Sequence, residues 1–135
     1  MHHQNRLRKG AAAVEFAIAA PLLFLTIFVV FEFGWAVIVR HTADNAAYEA
    51  ARIAFVPGGS TDEAVAEAVR IMSIVGASEI EVEVNPSLIT PDTDQIEVTV
   101  RGEYSQNGIG VSRFFPGVEF VSTTRLLTER PRTSS

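Results

Sequence analysis

The chain has no cysteine among its 135 residues, so disulfide bonds, thiolate zinc sites and thiol catalysis are all excluded. Lysine is almost as scarce, because Lys9 stands alone beside ten arginines. Acidic side chains outnumber basic ones by 16 to 11, which gives a formal net charge of −5. Binding to nucleic-acid phosphates needs clustered Lys and Arg, so this composition excludes that partner class. The length suits a single domain.

Signals for catalysis are missing as well. The three histidines, His2, His3 and His41, have no second ligand at metal-binding spacing. No nucleophile-elbow pattern surrounds a serine, and Gly58-Gly59 is too short for a phosphate-binding loop. We therefore expect a protein that is not an enzyme and has no cofactor.

Charge is nearly absent near the amino terminus, where residues 11–39 carry only Glu15 and Glu32 as ionisable groups. The apolar run at residues 17–39 is long enough to cross a hydrocarbon core of about 30 Å, which needs roughly 20 helical residues. A cleaved secretory signal has a shorter apolar region and a small-x-small cleavage site, and none follows here. A helix that is apolar on every face is also a poor core helix for so small a domain. The sequence predicts a retained transmembrane helix at residues 11–39.

Basic residues set the expected orientation and the domain boundaries. Arg6, Arg8 and Lys9 precede the span without an acid, which places the amino end in the cytoplasm. We thus expect a single-pass inner-membrane protein with a basic leader at residues 1–10. An extracytoplasmic domain at residues 40–130 and a disordered tail at 131–135 follow.

The membrane helix is predicted to continue beyond the span to about Phe55, where Pro57-Gly58-Gly59 ends it. Its outer part carries small residues at spacings of three and four, which places them on one helical face: Ala43, Ala46, Ala47, Ala50, Ala51 and Ala54. Two interpretations are open. The face packs against the following domain, or it forms a surface for close helix–helix contact between subunits.

A second helix begins at a capping box formed by Ser60 and Glu63, and Gly76 ends it. Its predicted apolar face consists of Val65, Ala68, Val69, Met72 and Val75.

Two strands are predicted from strict alternation at residues 79–84 and 95–101, and a third from 118–127. Phe114-Phe115-Pro116-Gly117 is predicted to be a turn that tucks two aromatic rings under the sheet. The glutamates Glu79, Glu81 and Glu83 favour a solvated strand face over a calcium site, because a flat strand splays its carboxylates. The fold class is α+β: a long amino-terminal transmembrane helix that continues outside the membrane, and an amphipathic helix packed on a small antiparallel sheet of about three strands.

The junction at Gly10 is a candidate processing site. A cut after Gly10 would make Ala11 the new amino terminus. Ala11 and Glu15 share a helical face, so the freed ammonium could pair with Glu15 in its own chain or a neighbour. The other interpretation leaves Glu15 hydrated at headgroup level.

Glu32 lies about 10 Å inside the outer end of the span and is too short to reach water comfortably. An ionised, unpaired carboxylate at this depth is costly, so we expect it to be protonated or matched with a donor from another protein. Gly34 and Ala36 close by would permit a tight helix contact. The alternatives are a protonated Glu32 facing lipid, or a span that ends near Phe31.

Several of these segments form a set: residues 8–17 (RKGAAAVEFA), residues 21–23 (PLL), residues 32–34 (EFG) and residues 45–52 (NAAYEAAR). Their order resembles the prepilin-like proteins of the type IV pilus superfamily, and more closely the TadE-like family of tight-adherence (Flp) pilus systems. The resemblance covers residues 8 to about 54.

It implies a pseudopilin-like minor subunit or assembly factor, cut after Gly10 by a membrane aspartic prepilin peptidase. Implied partners are the lipid bilayer, that peptidase, and other pilin-like and Tad secretion-system proteins, contacted through Glu15, Phe16, Glu32 and Gly34. The alternative function is an unprocessed single-pass accessory protein that binds a partner and does not polymerise.

Overall fold

The computed structural model describes residues 2–90, 93–106 and 116–127, with side chains from residue 10 onward. Two helices precede three strands: α1 (His2–Phe55), α2 (Thr61–Ile74), β1 (Ile80–Asn85), β2 (Gln95–Glu103) and β3 (Glu119–Leu127). The chain divides into two compact units, Met1–Gly34 and Trp35–Ser135. The predicted α+β class, with one long amino-terminal helix and a three-stranded antiparallel sheet, is confirmed.

Helix α1 ends at Phe55, as Pro57-Gly58-Gly59 predicts. The tight turn after it requires glycine. A Cβ at Gly59 would lie 2.2 Å from the carbonyl oxygen of Ile53, and Gly58 has a φ of +89°. A side chain at either position would therefore destabilise the turn.

The alanine face of α1 belongs to the core of the second unit. All six of its members have no exposed surface: Ala43, Ala46, Ala47, Ala50, Ala51 and Ala54. Of the two interpretations, packing within the chain is therefore correct. Small side chains are needed because the helix backbone lies close to the layer it covers.

Helix α2 begins as predicted, since Ser60 accepts from the Glu63 amide at 3.2 Å and the Glu63 carboxylate accepts from the Ser60 amide at 3.3 Å. Its buried face differs from the prediction. Ala68 and Met72 are buried, but Val69 is 43% exposed, and Ile71 is buried in its place. The buried face is rotated because α2 packs against both the sheet and α1. A prediction from hydrophobic periodicity assumes a single flat partner.

The sheet has the order β1-β2-β3, and both pairs are antiparallel. Alternate residues of β2 point into the core, where Ile96, Val98 and Val100 are at most 1% exposed. Phe120 of β3 is the largest fully buried side chain among the described residues. Two hydrophobic layers, the helices and this face of the sheet, thus make the core.

Two predictions fall outside the described residues: the placement of Phe114 and Phe115, and the disordered tail at 131–135. Pro116 and Gly117 are described and form a turn, in which Gly117 has a φ of +73°.

Candidate membrane and assembly interface

The part of α1 in the first unit exposes apolar side chains in every direction. Phe16 and Phe31 are 72% and 73% exposed, and Leu22 and Phe24 are close behind. The one polar hydroxyl here, Thr26 Oγ1, donates to the carbonyl oxygen of Leu22 at 2.8 Å, so it does not interrupt the apolar surface. By length and composition, this is the one helix in the described part of the chain that could cross a membrane.

Helix α1 runs without a break through the bond between Gly10 and Ala11. Both residues are exposed, and a Cβ added at Gly10 would meet nothing within 4 Å. A larger side chain at position 10 would therefore not clash with the described residues of the same chain.

Glu15 and Phe16 follow one turn later, and both are exposed. Glu15 has no ion-pair partner among the side chains that the structure describes. Its carboxylate and the phenyl ring of Phe16 point about 100° apart around the helix, so they offer two adjoining contacts to a neighbour.

Glu32 differs from its surroundings. It is 8% exposed, whereas Phe31 and Phe33 on either side are 73% and 56% exposed. This burial does not favour a carboxylate directed at lipid.

Gly34 is exposed with open space around it. Side chains two positions apart in a helix point about 200° apart around its axis, so Gly34 lies on the opposite side of α1 from Glu32. The structure does not bring the two residues together in one surface. Ala36, four residues after Glu32, shares its side of the helix.

A polar cluster at the start of the second unit was not anticipated from the sequence. Asp44 accepts a hydrogen bond from Ser122 Oγ at 2.6 Å and lies 3.7 Å from the Arg40 guanidinium. The ring of Tyr104 packs against Phe120 with centroids 5.2 Å apart. Burial raises the pKa of the Tyr104 phenol, with a smaller lowering effect from Arg40. The hydrogen bond between Ser122 and Asp44 joins α1 to β3.

The Arg40–Asp44 pair was readable from its i,i+4 spacing. Ser122 was not, because nothing local signals a hydroxyl that meets a residue 78 positions away.

The outer face of the sheet is charged, as predicted for a solvated strand face. Arg101 of β2 pairs with Glu83 at 2.8 Å and approaches Glu81 at 3.6 Å. Arg125 of β3 pairs with Glu97. These cross-strand pairs match the carboxylates with arginine, and the described residues contain no group of three or more His, Asp or Glu suited to a metal ion.

Comparison with known proteins gives one match. The family model described as TadE-like protein matches residues 10–52. No curated protein and no solved structure matches the chain significantly. The matched segment begins at Gly10 and includes Glu15, Phe16, Glu32 and Gly34. Residues 10–52 are therefore similar to the TadE-like family, as their motifs predict.

Proposed function

We propose that this protein is a TadE-like pseudopilin. It is a membrane-anchored minor subunit or assembly factor of a Flp/Tad-type pilus, and it is processed after Gly10. It works as a structural component rather than as an enzyme. The observation that carries the proposal is that the family match includes residues 10–34 of α1, where apolar side chains are exposed on all sides of the helix.

Residues 11–39 cross the inner membrane with the basic leader in the cytoplasm and the domain from residue 40 outside. Two arguments support this arrangement. An exposed apolar surface of this size is unfavourable in water. Arg6, Arg8 and Lys9 are all the basic side chains before the span, and such residues remain on the cytoplasmic side.

Processing would change the chemistry at the start of the helix. Removal of the leader leaves eight basic against 16 acidic side chains, a net charge of −8. It also creates an ammonium at Ala11, four residues before Glu15, which otherwise has no partner among the described side chains. Pairing of these charges, within one chain or between neighbours, would offset the cost of a carboxylate near lipid.

A peptidase can cut the bond only after the helix opens locally, because α1 is continuous through it. Glycine reduces helix stability by about 1 kcal/mol relative to alanine, so Gly10 lowers the cost of opening at this point. Its missing Cβ also leaves room for the enzyme to approach the backbone.

The second candidate is an unprocessed, single-pass accessory protein that does not polymerise. It is favoured by the same continuity of α1 from His2 onward, which leaves Gly10 inside a helix. In this case the leader stays attached and Glu15 meets no new terminus.

The mature protein's amino-terminal sequence and intact mass separate the two candidates. Ala11 as the first residue supports processing, and Met1 supports the accessory protein. The variant Gly10→Val should retain the leader and be ten residues longer than the processed protein. Gly34→Val is a matched control, because it makes the same change in the same helix with equally open space. If the two variant proteins have the same length, the prediction of cleavage after Gly10 is wrong.

A further inference from the structure

We propose that the carboxyl-terminal end of α2, centred on Ile74, contacts the lipid headgroup region and forms a second membrane contact of the second unit. This lipid-contact patch consists of Ile38 of α1 with Ile74 and Val75 at the end of α2. The inference rests on the proposed membrane placement of α1.

The patch borders a shallow groove of about 410 Å³ between the two helices. Residues 38–45 of α1 form one wall, and Ile71, Ile74 and Val75 form the other. Ile74 is 72% exposed and Ile38 is 48% exposed. An isolated exposed isoleucine needs no explanation, but these apolar side chains adjoin one another.

The position of the patch near the end of the predicted span indicates that it contacts lipid headgroups. Helix α2 runs antiparallel to α1, since only residues 56–60 join the two helices and the end of α2 lines one groove with residues 38–45 of α1. Its last turn thereby lies beside Ile38 and His41. The predicted span ends at Val39, so Ile74 lies within about one helical turn, roughly 5 Å, of the end of the hydrocarbon core. Each headgroup region is roughly 5–8 Å thick, which includes this level.

The patch is also continuous with the apolar run of α1. Ile38 belongs both to the patch and to that run, and Val37 next to it is 54% exposed. A surface that begins in the hydrocarbon core and continues onto α2 fits lipid better than a separate protein partner.

Two hydroxyl groups near the patch donate hydrogen bonds within their own helices. Thr42 Oγ1 donates to the carbonyl oxygen of Ile38 at 2.8 Å, and Ser73 Oγ donates to that of Arg70 at 2.6 Å. Because both hydroxyls already donate to backbone carbonyls, they can lie near lipid without leaving an unsatisfied hydrogen-bond donor.

Aromatic residues mark the same level. Trp35 lies four residues before the end of the predicted span, and Tyr104 is near enough to Arg40 and Asp44 for their charges to act on its phenol. Trp and Tyr are enriched where a protein crosses the membrane–water interface.

Lipid quenching of tryptophan fluorescence tests the contact. Trp35 is the only tryptophan, so a Trp35→Phe background accepts one new reporter at a time. The full-length protein is reconstituted in phosphatidylcholine vesicles whose acyl chains carry bromine either near the headgroup or near the methyl end. Ile74→Trp reports the patch and Phe28→Trp reports the middle of the span. Val56→Trp is the control, because it is 57% exposed but lies about 25 Å of helix beyond Val39.

We expect Ile74→Trp to lose emission mainly with bromine near the headgroup, Phe28→Trp mainly with bromine near the methyl end, and Val56→Trp with neither. Quenching of Phe28→Trp without quenching of Ile74→Trp overturns the inference and leaves the proposed function standing. Absence of quenching at both positions overturns the membrane placement itself.

A second copy of the chain is the competing occupant. The chain has no cysteine, so Ile74→Cys provides a single thiol. A disulfide-linked dimer of this variant in the vesicles, together with unquenched Ile74→Trp, would show that another copy covers the patch and would overturn the lipid contact.

Discussion

Replacing Ala50 with leucine tests whether the alanine face of α1 serves the chain's own core. Ala50 has no exposed surface, and the other five alanines of the face are equally buried. Leucine adds three carbon atoms where no space is open. Alanine and leucine have nearly the same helix propensity, so a loss of stability would report packing and not helix formation.

The expected magnitude follows from the burial. Overfilling a packed core costs about 1–3 kcal/mol. In a domain of 60–100 residues each kcal/mol lowers the unfolding midpoint by about 4–8 °C, so the midpoint should fall by about 4–24 °C. Domains of this size have a total stability of about 5–15 kcal/mol, which leaves the variant folded at low temperature.

Thermal unfolding of the full-length protein in a non-ionic detergent, followed by circular dichroism, measures this difference. Ala66→Leu is the matched control, because Ala66 lies on the exposed side of α2 and receives the same substitution. Its stability should change by less than about 0.5 kcal/mol. Equal midpoints for the two variants would refute the packing argument. If Ala50→Leu then also abolished pilus assembly, the face would be a subunit contact.

The remaining predictions concern the turn and the two membrane carboxylates. Gly59→Ala should lower the unfolding midpoint more than Gly58→Ala. A Cβ at position 59 would lie 2.2 Å from a carbonyl oxygen, whereas alanine at position 58 would only adopt a left-handed backbone conformation, at a cost of about 1–2 kcal/mol. The opposite order of the two midpoints in a melting experiment would contradict the turn geometry. Glu15→Ala should leave the amount of protein in membrane fractions unchanged, because it removes a charge near lipid, but should abolish piliation; normal pili in electron micrographs would contradict a role in assembly. Glu32→Leu should keep or raise stability, since it replaces a buried carboxylate by an apolar group of similar volume, and should lose crosslinking to a Tad partner. Unchanged crosslinking and unchanged piliation would exclude a docking role for Glu32.

Local signals account for the parts of the fold that were predicted correctly. The Ser60 capping box acts over three residues, and the glycine turn ends α1 within four. The strands follow from alternation along single segments, and their pairing partners were adjacent in the chain. Each of these features depends on a short stretch of sequence, so the sequence alone identifies it.

The residues of the candidate site were named from the sequence, and their roles stay predictions. Gly10, Glu15, Phe16 and Glu32 stand out because glycine, carboxylates and a basic leader have clear physical meanings beside an apolar run. Their positions on one helix follow from spacing. The burial of Glu32 does not, because it depends on what covers that side of α1.

Local sequence patterns are enough to predict the number and kind of elements, the helix that could span a membrane and the charged outer face of the sheet. Hydrophobic period, helix caps and turn residues act locally and need no partner. Three features are visible only in the folded chain: the alanine face is internal, α2 buries Ile71 in place of Val69, and Ser122 contacts Asp44. The folded chain also places the end of α2 beside Ile38. These outcomes depend on which surfaces pack together across long separations in the chain, and burial is a property of the pair of surfaces rather than of either sequence segment.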